Sequence, residues 1–403
     1  MRTLLEFEIK RFIKNKVNWL FIGLLFLGLT MLFVLQVKDE STYMGELADK
    51  YAKNKSYSQS ITVSYGKMID KEILMGDHTL DEMVVIRDFY DQQTRDEQSL
   101  ALFYRKDQPK DYAYLNIVKN NLFSRILQGL EAGISNESTL KLRGYEPNQL
   151  KLEIDYTQYL IDHEIEPIHN IYKVDGANGL KQFFSFKYMV FILIIVVFIM
   201  VELFAKELME GSYKLYQTLP YNRKALFLSR GFFAFLIAIT IFVLSTGFYF
   251  TLCTVKGGIG DFTYPIMSRS SLFAFTSSGM EAGLLILPVW QYVLLGVALF
   301  MILGFFTVAL VYFVSLMLDS QNKTLGVMIG VILFAFIANS FLDKEIVFNY
   351  WYPYAYIFID KVLQVQNRSN LLTGLLLNLS GLILILVMSF RRYMKKDFLG
   401  AND

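Results

Sequence analysis

Three histidines, His78, His163 and His169, are the whole imidazole complement of this 403-residue chain, and all three fall in one polar stretch between apolar runs. The spacing His163-Glu164-Ile165-Glu166-Pro167-Ile168-His169 could hold a metal weakly. It matches no established ligand pattern, so ordinary surface side chains are expected there. An intramembrane metalloprotease would need clustered ligands, yet no H-E-x-x-H occurs, and Glu207 and Glu210 have no histidine partner in an apolar run. A serine nucleophile lacks its Gly-x-Ser-x-Gly turn. The phosphate cradle G-x-x-x-x-G-K-[ST] is also absent, so the chain is not an ATPase by that route. No catalytic residue, cofactor or metal is expected.

What remains is a run of charges in an unusual place. Residues 201–230, VELFAKELMEGSYKLYQTLPYNRKALFLSR, lie between two strongly apolar segments and carry acids, bases, a glycine and a proline. Leu208, Leu215 and Leu219 recur at i, i+7 and i+11, and Met209, Tyr213 and Tyr216 widen that stripe. Glu207, Glu210, Lys214 and Gln217 occupy the rest of the surface. Pro220 ends the helix by removing an amide donor and crowding the preceding turn. The pattern predicts a short amphipathic helix over 207–219, gripped at both ends by membrane helices and suited to passing force between a partner and the spans. An interfacial helix with a basic stop and no partner fits the amphipathicity equally. Glu202 is the one acid inside a predicted span. It lies about one turn from the end, where a salt bridge to a cytoplasmic Lys or Arg is expected.

The elements that must hold this stretch follow from composition. Hydrophobic residues make up 54% of the chain, mean hydropathy is +0.36, and there are 35 Phe. A soluble domain of this size could not bury so much apolar side chain, so an integral membrane protein is implied. A net charge of +2 gives no electrostatic ground for a nucleic-acid partner, and the single cysteine, Cys253, permits no internal disulfide. A bilayer core takes about 20 apolar residues as helix. Six runs qualify: 17–37, 186–205, 231–254, 290–318, 324–342 and 371–390. The first reads as a retained signal anchor rather than a cleaved leader. Apolar character before the fourth begins near Leu284, and Pro288 interrupts it, so a short re-entrant or interfacial piece could precede that span.

Lysine and arginine set the orientation. The flanks 1–16, 206–230, 319–323 and 391–403 hold 15, against 6 on the opposite short flanks (Lys187, Lys256, Arg269, Lys344, Lys361 and Arg368). Both termini and the loop 206–230 are therefore expected in the cytoplasm. Residues 38–185 are expected outside as a mostly helical extracytoplasmic domain, with 18 Lys and Arg against 24 Asp and Glu from Lys38 to Lys181. Thr79-Leu-Asp-Glu82 is a capping-box pattern. Helices are predicted over 112–130 and 148–163, with short β elements possible near 138–146. The outer loop 255–289 and the segment 343–370 complete the plan. In the latter, FNYWYPYAYIFIDKVL (348–363) places aromatics around Pro353 where an interfacial belt would lie. Asn339, Asn378 and the span serines are expected to serve packing, and Gly326-x-x-x-Gly330 permits close helix approach.

An acid after span two (Glu207), a glycine four residues on (Gly211), Leu215, and Leu219-Pro220-x-x-Arg223 before the return to the membrane resemble the permeases of ABC-2-type ABC transporters. The resemblance covers most of the transmembrane chain but not residues 38–185. The wider plan is similar too: an all-α protein with six spans, both ends inside, and a large insertion between spans one and two. LLEFEIKRFIKNK resembles that family's N-terminal amphipathic helix, with Leu5, Ile9, Phe12 and Ile13 on an apolar face. The resemblance implies an exporter subunit whose loop docks a separate cytoplasmic ATPase, where ATP and Mg²⁺ bind. It implies that Glu207, Leu208, Glu210, Gly211, Lys214, Leu215, Leu219, Pro220 and Arg223 do the docking. It also implies a second permease copy, identical or not, in a plasma membrane; a bacterial one is expected. Spans with almost no charge point to an amphipathic or lipid-like cargo: a lipid, a drug or a membrane-active peptide. A rival reading is a non-transporting sensor or immunity protein whose outer domain captures a peptide. A secondary transporter fits less well, since mid-membrane charges and inverted repeats are lacking.

Overall fold

The computed structural model describes residues 2–74, 78–105, 112–168, 170–210, 222–269, 283–341, 352–363 and 371–395. Helix dominates. In chain order the elements are α1 (Arg2–Lys14), α2 (Lys16–Asp70), α3 (Leu80–Tyr104), α4 (Tyr112–Glu131), α5 (Glu137–Leu142), a 3₁₀ turn (Pro147–Gln149) and α6 (Leu150–Asp162). There follow α7 (Gly176–Phe183), α8 (Phe186–Glu210), α9 (Arg223–Gly257), strands β1 (Pro265–Arg269) and β2 (Leu284–Pro288), α10 (Val289–Leu318) and α11 (Gln321–Phe341). A 3₁₀ helix (Pro353–Ile357), α12 (Ile359–Leu363) and α13 (Leu371–Lys395) complete them. Among the described residues, α2, α8, α9, α10 and α13 contain stretches long and apolar enough to cross a membrane. The expected fifth span falls on α11, an apolar helix of 21 residues.

The chain divides into two compact units, residues 1–35 with 174–403, and residues 36–173. The division falls inside α2, which runs unbroken because residues 38–70 contain no proline and only two glycines.

The unit 36–173 is a helical cluster around α3, α4 and α6. The capping box is present: Thr79 Oγ1 accepts from Glu82 N at 3.3 Å, and Glu82 Oε2 accepts from Thr79 N at 2.9 Å. Its core joins Tyr51, Leu100, Tyr104, Leu115, Leu122, Ile126, Leu140 and Leu150. Inside lies a charged knot. Glu97 and Arg143 form a buried ion pair, and Ser58 and Tyr145 donate to the same carboxylate at 2.9 and 3.1 Å. The β elements considered near 138–146 are absent. Asn136 caps α5 by accepting from Thr139 N at 2.8 Å, and Gly144 turns the chain away at φ +74°. Leu140 is buried while Leu142 is exposed. A strand would put both on one face, whereas a helix sets them about 200° apart.

In the other unit α10 is the central helix, packed against α8, α13, α9 and α11. The apolar onset at Leu284 is a strand: β2 pairs antiparallel with β1, Pro265 opposite Pro288, and Pro288 then caps α10. Tyr354 and Tyr356 are buried, with Tyr354 donating to Thr307 Oγ1 at 3.1 Å, while Phe348, Tyr350 and Trp351 of the expected belt lie outside the described residues. Asn378 is buried and donates to Gly374 O at 2.9 Å, which suits a packing role. A Cβ at Gly326 or Gly330 would meet open space, so this pair supports no close helix approach among the described residues. The Asn339 side chain is outside them.

Candidate coupling site

Most of the predicted docking residues fall where the structure is silent. Gly211, Lys214, Leu215, Leu219 and Pro220 lie outside the described residues, as do the side chains of Glu207 and Glu210. Glu207, Leu208 and Glu210 form the last turn of α8, where Leu208 is half-buried and Met209 is 56% exposed. Arg223 opens α9 beside its N-cap, Asn222, which accepts from Lys224 N at 3.0 Å. Thus α8 and α9 are the two stems of the loop, and the structure shows what secures them.

The α8 stem is held by Glu202. Its carboxylate is 5% exposed and carries three donors: Asn15 Nδ2 at 3.1 Å, Gln321 Nε2 at 2.9 Å, and the Lys206 ammonium one turn on. The expected salt bridge is therefore present, but it is one bond of a larger node. Asn15 occupies the single-residue break between α1 and α2, and its own Oδ1 accepts from Val17 N at 3.1 Å, capping α2. Gln321 is the first residue of α11, entered from Asp319 in the left-handed region at φ 45°. An acid shared by three donors keeps its charge compensated away from water, which an isolated buried carboxylate could not do.

The α9 stem is held by Arg230. Its Nε lies 3.4 Å from Glu8 Oε1, with both side chains about 5% exposed, and Arg11 reaches the other Glu8 oxygen at 3.8 Å. Phe12 packs edge-on against Phe233 at 6.1 Å between ring centres. Close by, Tyr312 of α10 stacks on Phe204 of α8 at 4.3 Å and on Phe227 of α9 at 5.3 Å. These flat contacts fix the two stems against the central helix.

Of the expected apolar face of the N-terminal helix, Ile9 and Ile13 are exposed, while Leu5 and Phe12 are half-buried. The side against α9 carries Leu4, Glu8 and Phe12, with Arg11 and Asn15 half-buried. In a lipid-embedded protein apolar side chains need not turn inward; the paired charges do. Glu8, Asn15, Arg230 and Gln321 escaped sequence reasoning. The available signals were Glu8 on the Leu4–Phe12 stripe and Arg230 beside a span with no acid nearby in sequence.

The geometry holds two apolar stems, α8 and α9, beside the N-terminal helix. A comparison with protein-family models matches residues 2–398 to the ABC-2 family transporter protein. The chain belongs to that family. It is an ABC-2-type permease, a membrane subunit rather than a catalytic one. Comparisons with curated proteins and with solved structures give no match. Among the described residues no group of three or more His, Cys, Asp or Glu is placed to hold a metal ion. His163 stacks on Tyr159 at 4.0 Å with Nδ1 against Tyr159 O at 2.9 Å, and His169 lies outside the described residues.

Proposed function

We propose that this permease is the transmembrane part of an ATP-driven exporter, working with a separate cytoplasmic ATPase that binds ATP and Mg²⁺. In this reading six helices span a plasma membrane, α11 among them, with both termini cytoplasmic and residues 38–185 outside. Two permease copies and two ATPase subunits form a symmetric assembly. Closure of the ATPase pair pushes on the segment 207–219 and on the N-terminal helix, and tilts the first, second and fifth spans to open a path. Rigid-body coupling of this kind needs two discrete arrangements to bias. The cargo is amphipathic or lipid-like, since the spans carry almost no charge outside Glu202 and the inner flanks. Membership of the ABC-2 family over residues 2–398 is the observation that carries the proposal.

Two measurements test it. The full chain, purified gently from its native host, brings down a soluble ATPase at one-to-one stoichiometry. Glu207→Lys and Leu215→Asp each abolish permease-dependent ATP hydrolysis without reducing membrane insertion. Purification without any ATPase would instead favour the peptide-capturing sensor. Normal stimulation by both variants would remove the docking role from 207–219.

A further inference from the structure

We infer that Glu202 and Glu8 are positioning residues that bind both stems of the loop 211–221 to the N-terminal helix, so that α1, α8 and α9 shift as one body. The inference rests on the docking reading of residues 206–230 and adds the parts that carry a push away from it.

Each stem reaches the N-terminal segment through one buried carboxylate. On α8, Glu202 stands five residues before Glu207 and takes a hydrogen bond from Asn15, the hinge residue between α1 and α2. On α9, Arg230 stands seven residues after Arg223 and meets Glu8, two helical turns back from that hinge. The N-terminal segment therefore bridges the two stems about two helical turns before each reaches the loop. Both bridges are polar bonds, one between enclosed Glu8 and Arg230 and one between enclosed Glu202 and half-buried Asn15, so each has a definite length and direction that greasy contact lacks. Glu202 adds a third connection. Through Gln321 it holds the first residue of α11, so a displacement of the α8 stem reaches α2 at Asn15 and α11 at Gln321 together. One carboxylate thus joins the inner ends of three membrane-associated helices.

A merely stabilising pair and a positioning pair differ in what rescue restores. The test uses the full-length permease in lipid nanodiscs, first alone and then with its ATPase. Hydrogen exchange of the α1 amides is read on the permease alone. Glu8→Arg and Arg230→Glu, each singly, should speed that exchange about a hundredfold, because each leaves like charges enclosed. The double variant Glu8→Arg with Arg230→Glu should return it near the wild-type rate. Glu202→Ala should raise exchange around residues 15–18 and 321–324 together. With the ATPase bound, the single variants should lose at least about tenfold in permease-stimulated hydrolysis, and the swapped pair should recover it. Unchanged α1 exchange in both single variants, or a swap that restores neither readout, would overturn the inference. So would single variants that lose α1 protection yet stimulate hydrolysis normally. If the wild-type permease fails to stimulate hydrolysis at all, the docking reading falls instead, and the exchange result still decides whether the bridge exists.

Discussion

Glu97 is fully enclosed in the unit 36–173, with a guanidinium, a phenol and a hydroxyl on its oxygens. Burial pushes its carboxyl above the ordinary value near 4.5, with Arg143 pulling it back. Burial likewise raises Glu153 and Asp96. Acids raised in the folded state hold protons that the unfolded chain has released. Stability of this unit should therefore increase as pH falls through the raised values towards 4.5 for the glutamates and 3.8 for the aspartate. Exchange protection of α3 and α6, corrected for intrinsic rates, should hold or improve from pH 7 to pH 5, and a steep loss over that range would refute the assignment. Glu97→Ala should destabilise the unit by about 3–5 kcal/mol, since it strands the Arg143 charge, while Glu97→Met with Arg143→Leu should cost far less. Little of this was legible beforehand. Glu202 was visible as an acid in a span, but Asn15, Gln321, Glu8 and Arg230 are brought to their partners by folding over distances from 119 to 222 residues, as in Gln321 to Glu202. No local pattern encodes such pairs.

At the scale of elements, local chemistry decides how much can be read. The capping box at Thr79 was plain because its two partners are three residues apart. The pairing of β1 with β2 was hidden because residues 270–283 separate the strands, so no tight-turn signature marks a hairpin. Short β elements were open near 138–146, yet the N-cap at Asn136 and the left-handed Gly144 set Glu137–Leu142 as a helix. Two glycines test how elements meet. At Gly257 an added Cβ would lie 1.7 Å from the backbone oxygen of Val174, and the next residue, Gly258, sits at φ +81°. Gly257→Ala should therefore cost about 1–3 kcal/mol by forcing apart the end of α9 and the entry to α7. Gly66, four residues before the end of α2 and with nothing within 4 Å, gives the opposite expectation. Gly66→Ala should stabilise by about 0.4–1 kcal/mol. Thermal unfolding of both variants in one detergent checks the contrast, and equal shifts would contradict it.

For the whole molecule, composition and hydropathy were enough to announce a helical membrane protein, because burying or lipid-facing so many apolar residues leaves few other solutions. Family membership over residues 2–398 agrees with the resemblance read from Glu207, Gly211, Leu215 and Leu219-Pro220-x-x-Arg223. Composition set off residues 38–185 as one polar stretch, whereas the compact unit ends at residue 173, and nothing in the composition marked the course of α2. The proposed coupling depends on the side of the membrane that the loop between α8 and α9 faces, since an ATPase can push only from the cytoplasm. Lys214→Cys labelling in intact cells decides this most directly, because the native Cys253 is buried and should stay silent. An impermeant maleimide should leave Cys-substituted position 214 unmodified until the membrane is opened. Modification in sealed cells would place the loop outside and contradict the account.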